Sequence, residues 1–231
     1  MHFMRRINQR RLLIGSSFLL LAALALLGFR YGPEVLGYYR FMQAVEVSSK
    51  QSTTIAGAWP RLSDVCMPCH GPNGNPTTQR YPRLAGQPAT YLARQLTVFA
   101  EGERHSPVMS PLALSLSADE ISRLTSFFAA QPVIPNAAFS ADPARLNMGE
   151  LLVKEKGCEA CHGAGLRGQE TLPRLAGQGQ AYLAKQLFDF RNGARRDPQG
   201  AMTAIARTLS DEDIENLASY LASYRTSGHS R

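Results

Sequence analysis

An internal repeat is the feature that most limits what this 231-residue chain can fold into. The segment "YPRLAGQPATYLARQL" at 81–96 matches "LPRLAGQGQAYLAKQL" at 172–187, and "LSADEI" at 116–121 matches "LSDEDI" at 209–214. The matched blocks occur in the same order at almost the same offset, which chance similarity does not explain. Because each copy has the size of a small domain, the repeat predicts two tandem domains with a common fold.

Both copies carry the signals of helical structure. Ser117 with Glu120, and Ser210 with Asp213, form capping boxes that precede apolar residues at helical spacing. Asp142 comes before a proline at the first helical position and is expected to begin another helix. No long alternating strand pattern occurs in either copy. We therefore expect an all-α protein in which the proline-rich stretch between the copies is a linker.

All four cysteines fall in a Cys-x-x-Cys-His motif that occurs once in each copy. Two thiols at this spacing can add to the two vinyl groups of one haem, and the following histidine is then held beside the iron as an axial ligand. The motif therefore predicts two covalently bound haem c groups. The expected attachment and ligand residues are Cys66, Cys69 and His70 in the first copy and Cys158, Cys161 and His162 in the second.

Three other uses of the cysteines explain the sequence less well. A disulfide within each pair would suit an oxidising compartment, but it would not explain the histidine in both copies. A zinc site would need all four thiolates close together, whereas the pairs lie in separate repeats. A thioredoxin-like redox motif normally belongs to a fold in which strands and helices alternate, and that pattern is missing here.

A methionine in each copy is the candidate for the second axial ligand. Met109 and Met202 lie at equivalent positions, each shortly before a capped helix. A methionine ligand raises the reduction potential and leaves no open position on the iron for a substrate. A single methionine is more often a core residue, but two matched ones favour the ligand interpretation. His105 is a weaker candidate, because Arg196 occupies its place in the second copy.

Together, the two Cys-x-x-Cys-His motifs, the two "PRLAGQ" blocks, the "YLARQL" and "YLAKQL" helices and the matched methionines resemble the dihaem cytochrome c4 family. The resemblance extends from about residue 60 to residue 225. It implies two class I cytochrome c domains related by a pseudo-twofold axis, with their haems near the interface. It also implies electron transfer in the bacterial periplasm, not catalysis.

The same resemblance implies a set of supporting residues around each haem. The carbonyls of Pro82 and Pro173 would accept the Nδ1 proton of the axial histidines, which fixes the tautomer that leaves Nε2 for iron. Two arginines and two tyrosines are expected near the haem propionates. An exposed charge or a packed aromatic ring explains these four residues equally well from the sequence alone. They are Arg83, Arg174, Tyr91 and Tyr182.

The N-terminus contains an uncharged, mainly apolar run of eighteen residues at 12–29. As a helix it would span about 27 Å, close to the hydrocarbon thickness of a bilayer. The arginines before it would stay in the cytoplasm, so the rest of the chain would be exported. A cleaved signal peptide is the alternative, although the small-residue segment at 23–25 lies inside the apolar run. We expect a retained single-pass anchor in the bacterial inner membrane, with the haem domains in the periplasm.

The formal charge of +7 does not indicate nucleic-acid binding. The first thirty residues contain five arginines and no acidic residue, so most of the excess positive charge belongs to the N-terminal flank. The rest of the chain has twenty basic and eighteen acidic residues, a net charge of +2, so nucleic-acid binding loses its main support.

These observations predict five segments and a fold class. A basic flank with a transmembrane anchor, or a signal peptide, occupies 1–30, and a juxtamembrane spacer occupies 31–58. The first cytochrome c domain is expected at 59–132, a linker at 133–142, and the second cytochrome c domain at 143–231. The predicted fold class is all-α, with two tandem class I cytochrome c domains after one N-terminal transmembrane helix.

The expected function is electron transport between membrane respiratory complexes. The donor would be a quinol-oxidising complex or another reductant, and the acceptor would be a terminal haem–copper oxidase of the cbb3 type or another oxidant. One alternative is a fixed electron-transfer subunit of a larger dehydrogenase or oxidase complex. A dihaem peroxidase is a weaker alternative, because it needs an open iron and neither copy shows a distal acid–base pair.

Overall fold

The structure is a computed structural model that describes residues 20–21, 24–32, 35–46, 61–137 and 139–224. The chain divides into two compact units, Met1–Trp59 and Pro60–Arg231. In the first unit the described residues are helical, including 35–46 within the predicted spacer. The predicted anchor at 12–29 lies mostly outside the described residues. None of the helices that the structure describes is long and apolar enough to cross a bilayer.

The second unit consists of helices and connecting loops. Its described residues contain no β-strand, and a single antiparallel bridge joins Gln169 and Leu172. The all-α prediction is therefore confirmed for this unit. Two successive halves with the same order of helices make up the unit, as the repeat predicts.

In the first half one 3₁₀ turn comes before the motif helix, and a second 3₁₀ turn and three α-helices follow it. Two 3₁₀ turns flank the motif helix, at Leu62–Cys66 and Pro72–Gly74. The α-helices are α1 (Met67–His70), α2 (Ala89–Ala100), α3 (Met109–Leu114) and α4 (Ala118–Ala129).

The second half repeats this order and begins with a longer helix. A 3₁₀ turn at Ala164–Leu166 follows its cysteine motif. The α-helices are α5 (Pro143–Glu155), α6 (Cys158–His162), α7 (Gln180–Arg191), α8 (Ala201–Arg207) and α9 (Asp211–Ser223).

The predicted helix starts are present in the structure. Ser117 accepts a hydrogen bond from the backbone N–H of Glu120, whose carboxylate accepts one from the backbone N–H of Ser117. Ser210 and Asp213 make the same reciprocal pair at the start of α9. Asp142 accepts a bond from the N–H of Ala144, which satisfies one of the free donors at the start of α5. The capping predictions are confirmed.

Each half has its own apolar core, and the core of the second half is the larger. In the first half the buried cluster is formed by helices α2 and α4 and includes Leu92, Leu124 and Phe128. In the second half α5, α7 and α9 converge on Ile214, which is fully buried. Each core also contacts the first cysteine of its own motif, Cys66 in the first half and Cys158 in the second.

Helices α5 and α9 pack closely because one residue on α5 has no side chain. A Cβ atom at Gly149 would collide with the backbone carbonyl of Asn216 and the Cβ of Tyr220 on α9. The close approach therefore depends on glycine at this position.

Substituting Gly149→Ala should destabilise the protein. Alanine favours the helix by up to about 1 kcal/mol, but the clash with a backbone carbonyl cannot be relieved by a side-chain rotation. We expect a net loss of about 1–2 kcal/mol and a Tm lower by roughly 5 °C, measured by thermal unfolding. Leu151→Ala on the exposed face of the same helix is the control and should have little effect. An unchanged Tm for Gly149→Ala would contradict the packing argument.

The two halves are joined by a reciprocal exchange of hydrogen bonds. Gln87 of the first half accepts a bond from the backbone N–H of Arg174 and donates one to its carbonyl, both at 2.9 Å. Gln178 of the second half makes the same two bonds to the backbone of Arg83, at 2.6 and 3.0 Å. This is the pattern expected of two copies related by an approximate twofold axis. Both glutamines are buried, so the bonds are shielded from water.

The connecting segment between the halves also takes part in their packing. Asn136 exchanges two side-chain hydrogen bonds with Gln79, at 2.8 and 2.9 Å. The backbone carbonyl of Ile134 accepts a bond of 2.7 Å from the guanidinium of Arg83. The predicted linker region is therefore tied to the first half along part of its length.

Replacing Gln87 with leucine should destabilise the contact between the halves. Leucine has a similar volume but leaves the buried N–H and carbonyl of Arg174 without these partners, at about 1–3 kcal/mol each. We expect a loss of about 2–4 kcal/mol in the free energy of unfolding, measured by denaturant titration. Gln199→Leu, at an exposed position, is the matched control and should be close to neutral. Equal stabilities for the two variants would argue against a stabilising role of the exchange.

Candidate functional site

The histidines of the two cysteine motifs lie at the ends of helices α1 and α6, and both are buried. His70 Nδ1 lies 2.9 Å from the carbonyl oxygen of Pro82, and His162 Nδ1 lies 2.9 Å from that of Pro173. A carbonyl oxygen can only accept, so Nδ1 must carry the proton in each ring. The lone pair then belongs to Nε2, which is the nitrogen available to a metal.

Burial also favours the neutral form of both rings. It lowers the pKa of His70 and His162, and the backbone carbonyl bonded to each ring opposes that effect only in part. Below neutral pH a histidine with an ordinary pKa would protonate and lose its metal-binding lone pair. The lowered pKa values therefore extend the range in which each imidazole can bind iron.

None of the four cysteines, all of which lie in the described residues, is joined to another by a disulfide bond. Burial raises the pKa of Cys66 to about 11, with additional effects from the nearby Asp64 and Cys69. Burial likewise raises the pKa of Cys158. Within the described part of the chain, no three His, Cys, Asp or Glu side chains come together as a possible metal site. That geometry does not favour a zinc site built from both pairs of cysteines.

Each candidate methionine lies at the start of a short helix that packs on a longer one. Met109 begins α3, which packs against α2, and Met202 lies in the first turn of α8, which packs against α7. Both methionines are half-buried. Their equivalent placement in the two halves follows the repeat, and their role as iron ligands stays a prediction.

Arg83 and Arg174 are almost fully buried, with 4% and 3% of their surfaces exposed. The alternative of an exposed charge is therefore wrong at both positions, and their place near haem propionates stays a prediction. Their terminal nitrogens donate to backbone carbonyls, such as the 2.8 Å bond from Arg174 to the carbonyl of Ala85. The Nε atom of each arginine is buried and has no hydrogen-bond partner among the described residues.

These two unpaired donors provide a test of whether the site fits haem. A buried N–H without an acceptor is costly, and a buried guanidinium also needs a compensating negative charge. Burial lowers the pKa of Arg174 to about 10, and the nearby charge of Arg83 adds to the effect. A propionate carboxylate would supply both the acceptor and the charge. The residues present therefore fit a haem in each half.

Tyr91 and Tyr182 meet in a polar cluster between the halves. Arg195 of the second half lies 3.3 Å from the hydroxyl of Tyr91, and Arg104 of the first half lies 3.2 Å from that of Tyr182. Both tyrosines therefore have polar partners from the opposite half, and simple aromatic packing does not describe them.

Two glutamines complete this cluster. Gln95 Oε1 accepts from Arg104 at 2.6 Å and from Arg195 at 3.0 Å. Gln186 Oε1 accepts from both arginines at 2.7 Å. Neither arginine forms an ion pair with a carboxylate in the part of the chain that the structure describes. Two like charges thus share the same neutral acceptors.

The charges of this cluster change the ionisation of the tyrosines. Burial by itself raises the pKa of Tyr182, but the guanidinium groups of Arg104 and Arg195 outweigh it and lower that pKa to about 8. Burial and the neighbouring Tyr182 raise the pKa of Tyr91.

The sequence predictions missed Arg104, Arg195, Gln95 and Gln186. A signal was available, because a Gly-x-Arg sequence follows the matched helix in both copies, as "GER" at 102–104 and "GAR" at 193–195. The glutamines belong to the "ARQL" and "AKQL" segments of the repeat itself. Their pairing across the halves could be recognised only once the two helices were placed side by side.

Comparisons with known proteins identify the family. The profile of the Cytochrome c family matches residues 147–225. Cytochrome c4 from Thiocapsa roseopersicina is 38% identical over 172 residues, which cover 70% of this chain and 88% of that protein. The thiosulfate dehydrogenase electron acceptor of Stutzerimonas stutzeri (strain A1501) is 35% identical over 191 residues, covering 78% of this chain and 88% of that protein.

Comparison with solved structures identifies the same family. The crystal structure of reduced recombinant cytochrome c4 from Pseudomonas stutzeri superposes with a TM-score of 0.66 at 33% identity, covering 71% of this chain and 95% of that one. The predicted resemblance is confirmed, as are the two covalently bound haem c groups and a role in electron transfer instead of catalysis. This chain belongs to the cytochrome c4 family of dihaem electron-transfer proteins.

Proposed function

We propose that this protein carries electrons in the periplasm between membrane respiratory complexes, through one haem in each half. The observation that carries the proposal is the pair of matched sites. Each site combines a histidine whose Nδ1 proton is held by a proline carbonyl with a buried arginine whose Nε lacks an acceptor. Two such sites in one compact unit suit the passage of electrons from one half to the other.

The residues around each iron have distinct roles in this proposal. When bound, each haem supplies an iron that gains and loses one electron. Cys66 and Cys69 hold the first haem by thioether bonds, and Cys158 and Cys161 hold the second. His70 and His162 bind the irons through Nε2, and the carbonyls of the following prolines keep both rings oriented.

Met109 and Met202 would be the second protein ligands of the irons in the first and second half. A methionine ligand excludes exogenous ligands and favours the reduced iron, which raises the reduction potential. Arg83 and Arg174 would donate their Nε–H groups to propionates and balance their charge. Tyr91 and Tyr182 lie where the two halves meet and complete the polar lining between the sites.

The proposed domain boundaries are those that the sequence predicts. The first cytochrome c domain occupies 59–132, the second occupies 143–231, and 133–142 connects them. The apolar run at 12–29 anchors the chain in the bacterial inner membrane, which places both domains in the periplasm. Its support is the absence of charge in the run and the arginine-rich flank before it. Tethering would raise the local concentration of the carrier near membrane-bound partners.

The proposed donor is a quinol-oxidising complex, and the proposed acceptor is a haem–copper oxidase of the cbb3 type. A second candidate function is a dedicated electron-accepting partner of a dehydrogenase. The relative named thiosulfate dehydrogenase electron acceptor, aligned over most of its length, favours that candidate. Purification in detergent at high salt separates the two: a dehydrogenase retained in equal amount supports the second, and a chain purified alone supports the free carrier.

Replacing either Met109 or Met202 with alanine should open one iron. The reduced wild-type protein should bind no carbon monoxide, because both irons are closed. Each single variant should bind carbon monoxide at about half of its haem and show one lowered reduction potential, followed by absorption spectra and redox titration. Met148→Ala is the control, because Met148 is 48% exposed and has no counterpart in the first half.

Two outcomes would contradict these expectations. Wild-type protein that binds carbon monoxide at half of its haem would mean one open iron and would overturn the closed-carrier mechanism. Variants whose spectra and potentials match the wild type would show that these methionines are not the ligands.

Removing the N-terminal segment tests the anchor. Wild-type protein should remain with the membrane fraction after washing in high salt, because an apolar helix is not released by screening charges. A variant in which 1–30 is replaced by a cleavable export signal should appear in the soluble periplasmic fraction with an unchanged haem spectrum. Wild-type protein found in the soluble fraction and shortened at its N-terminus would favour the signal-peptide alternative.

A further inference from the structure

The two candidate methionines are held by different chemistry, although their helices are equivalent. In the first half the backbone N–H of Met109 donates to the hydroxyl of Ser106 at 3.1 Å. In the second half the backbone N–H of Met202 donates to the carboxylate of Asp197, also at 3.1 Å. The repeat thus places a neutral acceptor in one half and a carboxylate in the other.

Both oxygens of Asp197 face the first turn of α8. Oδ2 accepts from Met202, and Oδ1 accepts from the backbone N–H and the hydroxyl of Thr203, both at 3.2 Å. The carboxylate is half-buried and forms no ion pair within the described part of the second unit. No lysine or arginine of the described residues lies within ion-pair distance of the carboxylate, and three hydrogen bonds fix its position.

The equivalent segment of the first half is held by hydroxyl groups. Ser106 accepts from Met109, and its own N–H donates to the hydroxyl of Ser110 at 3.2 Å. These contacts fix the start of α3 without a formal charge. The two groups that accept from the methionine N–H therefore have similar positions but differ by one negative charge.

A fixed charge beside a redox centre shifts its potential. The oxidised iron carries one more positive charge than the reduced iron, so a nearby carboxylate stabilises the oxidised state. Partial burial of the carboxylate reduces screening by salt. A hydroxyl at the equivalent place has no net charge and lacks this effect.

We propose that Asp197 is a positioning residue for Met202 that also lowers the reduction potential of the haem in the second half, whereas Ser106 positions Met109 without changing the charge. The inference rests on the proposed function, because it takes Met202 as the ligand of the second iron. The two halves are nearly symmetric, but under this proposal the methionine ligand of each iron has different electrostatic surroundings.

The test uses the full-length, haem-loaded protein with Asp197→Asn. Asparagine has no charge and keeps one of the two oxygens that accept from the first turn of α8. One of the two reduction potentials should rise and the other should stay unchanged. The weak red absorption band of methionine-ligated oxidised haem should be retained at both sites, which shows that the ligand is still in place.

The reciprocal variant Ser106→Asp supplies the matched comparison. It should lower the other potential, so that the two substitutions move different haems in opposite directions. Thr208→Ala, at an exposed position beyond the end of α8, is the control and should move neither potential.

The outcomes separate this inference from the proposed function. Unchanged potentials in Asp197→Asn with the methionine band retained would overturn the role of the carboxylate and leave methionine ligation intact. Loss of the band in Asp197→Asn would support the positioning of Met202 by Asp197, and the effect of the charge would then be decided by Ser106→Asp, whose unchanged potential would overturn it. A spectrum unchanged in Met202→Ala would instead remove the ligand assignment on which the inference rests.

Discussion

The bonds of Gln87 to the backbone of Arg174, and of Gln178 to the backbone of Arg83, are the contact on which the rest of the second unit depends. Each arginine directly follows the proline whose carbonyl bonds to the motif histidine of its own half. A displacement of one half would therefore move the segment that orients that histidine in the other. The backbone at 82–83 and at 173–174 thus both orients a histidine and joins the two halves.

The buried cations add a second constraint. Arg83 and Arg174 lie inside the protein with unpaired Nε atoms, and Arg104 and Arg195 share acceptors at the interface without a carboxylate partner among the described residues. Burying such charges is unfavourable unless an anion compensates them. In the proposed function, haem propionates would compensate Arg83 and Arg174, so the cofactor would add to the stability of the second unit.

The near-symmetry of the two halves makes their differences informative. Both halves have the same histidine–proline bond, the same buried arginine and the same cross-half glutamine. They differ at the methionine segment, where Asp197 takes the place of the hydroxyl of Ser106. Because a carboxylate and a hydroxyl differ by one charge, this substitution can make the two sites electrostatically unequal without changing the fold.

The sequence by itself determined the repeat, the cysteine motifs, the capped helix starts at Asp142, Ser117 and Ser210, and the family. These features depend on residues close together in the chain, whose spacing has a direct chemical meaning. Only the tertiary structure decided that Arg83 and Arg174 are buried, that Gln87 bonds across the halves, and that Arg104 meets Arg195. Burial and long-range hydrogen bonds depend on which surfaces pack together, and that is set by the three-dimensional arrangement of the two copies.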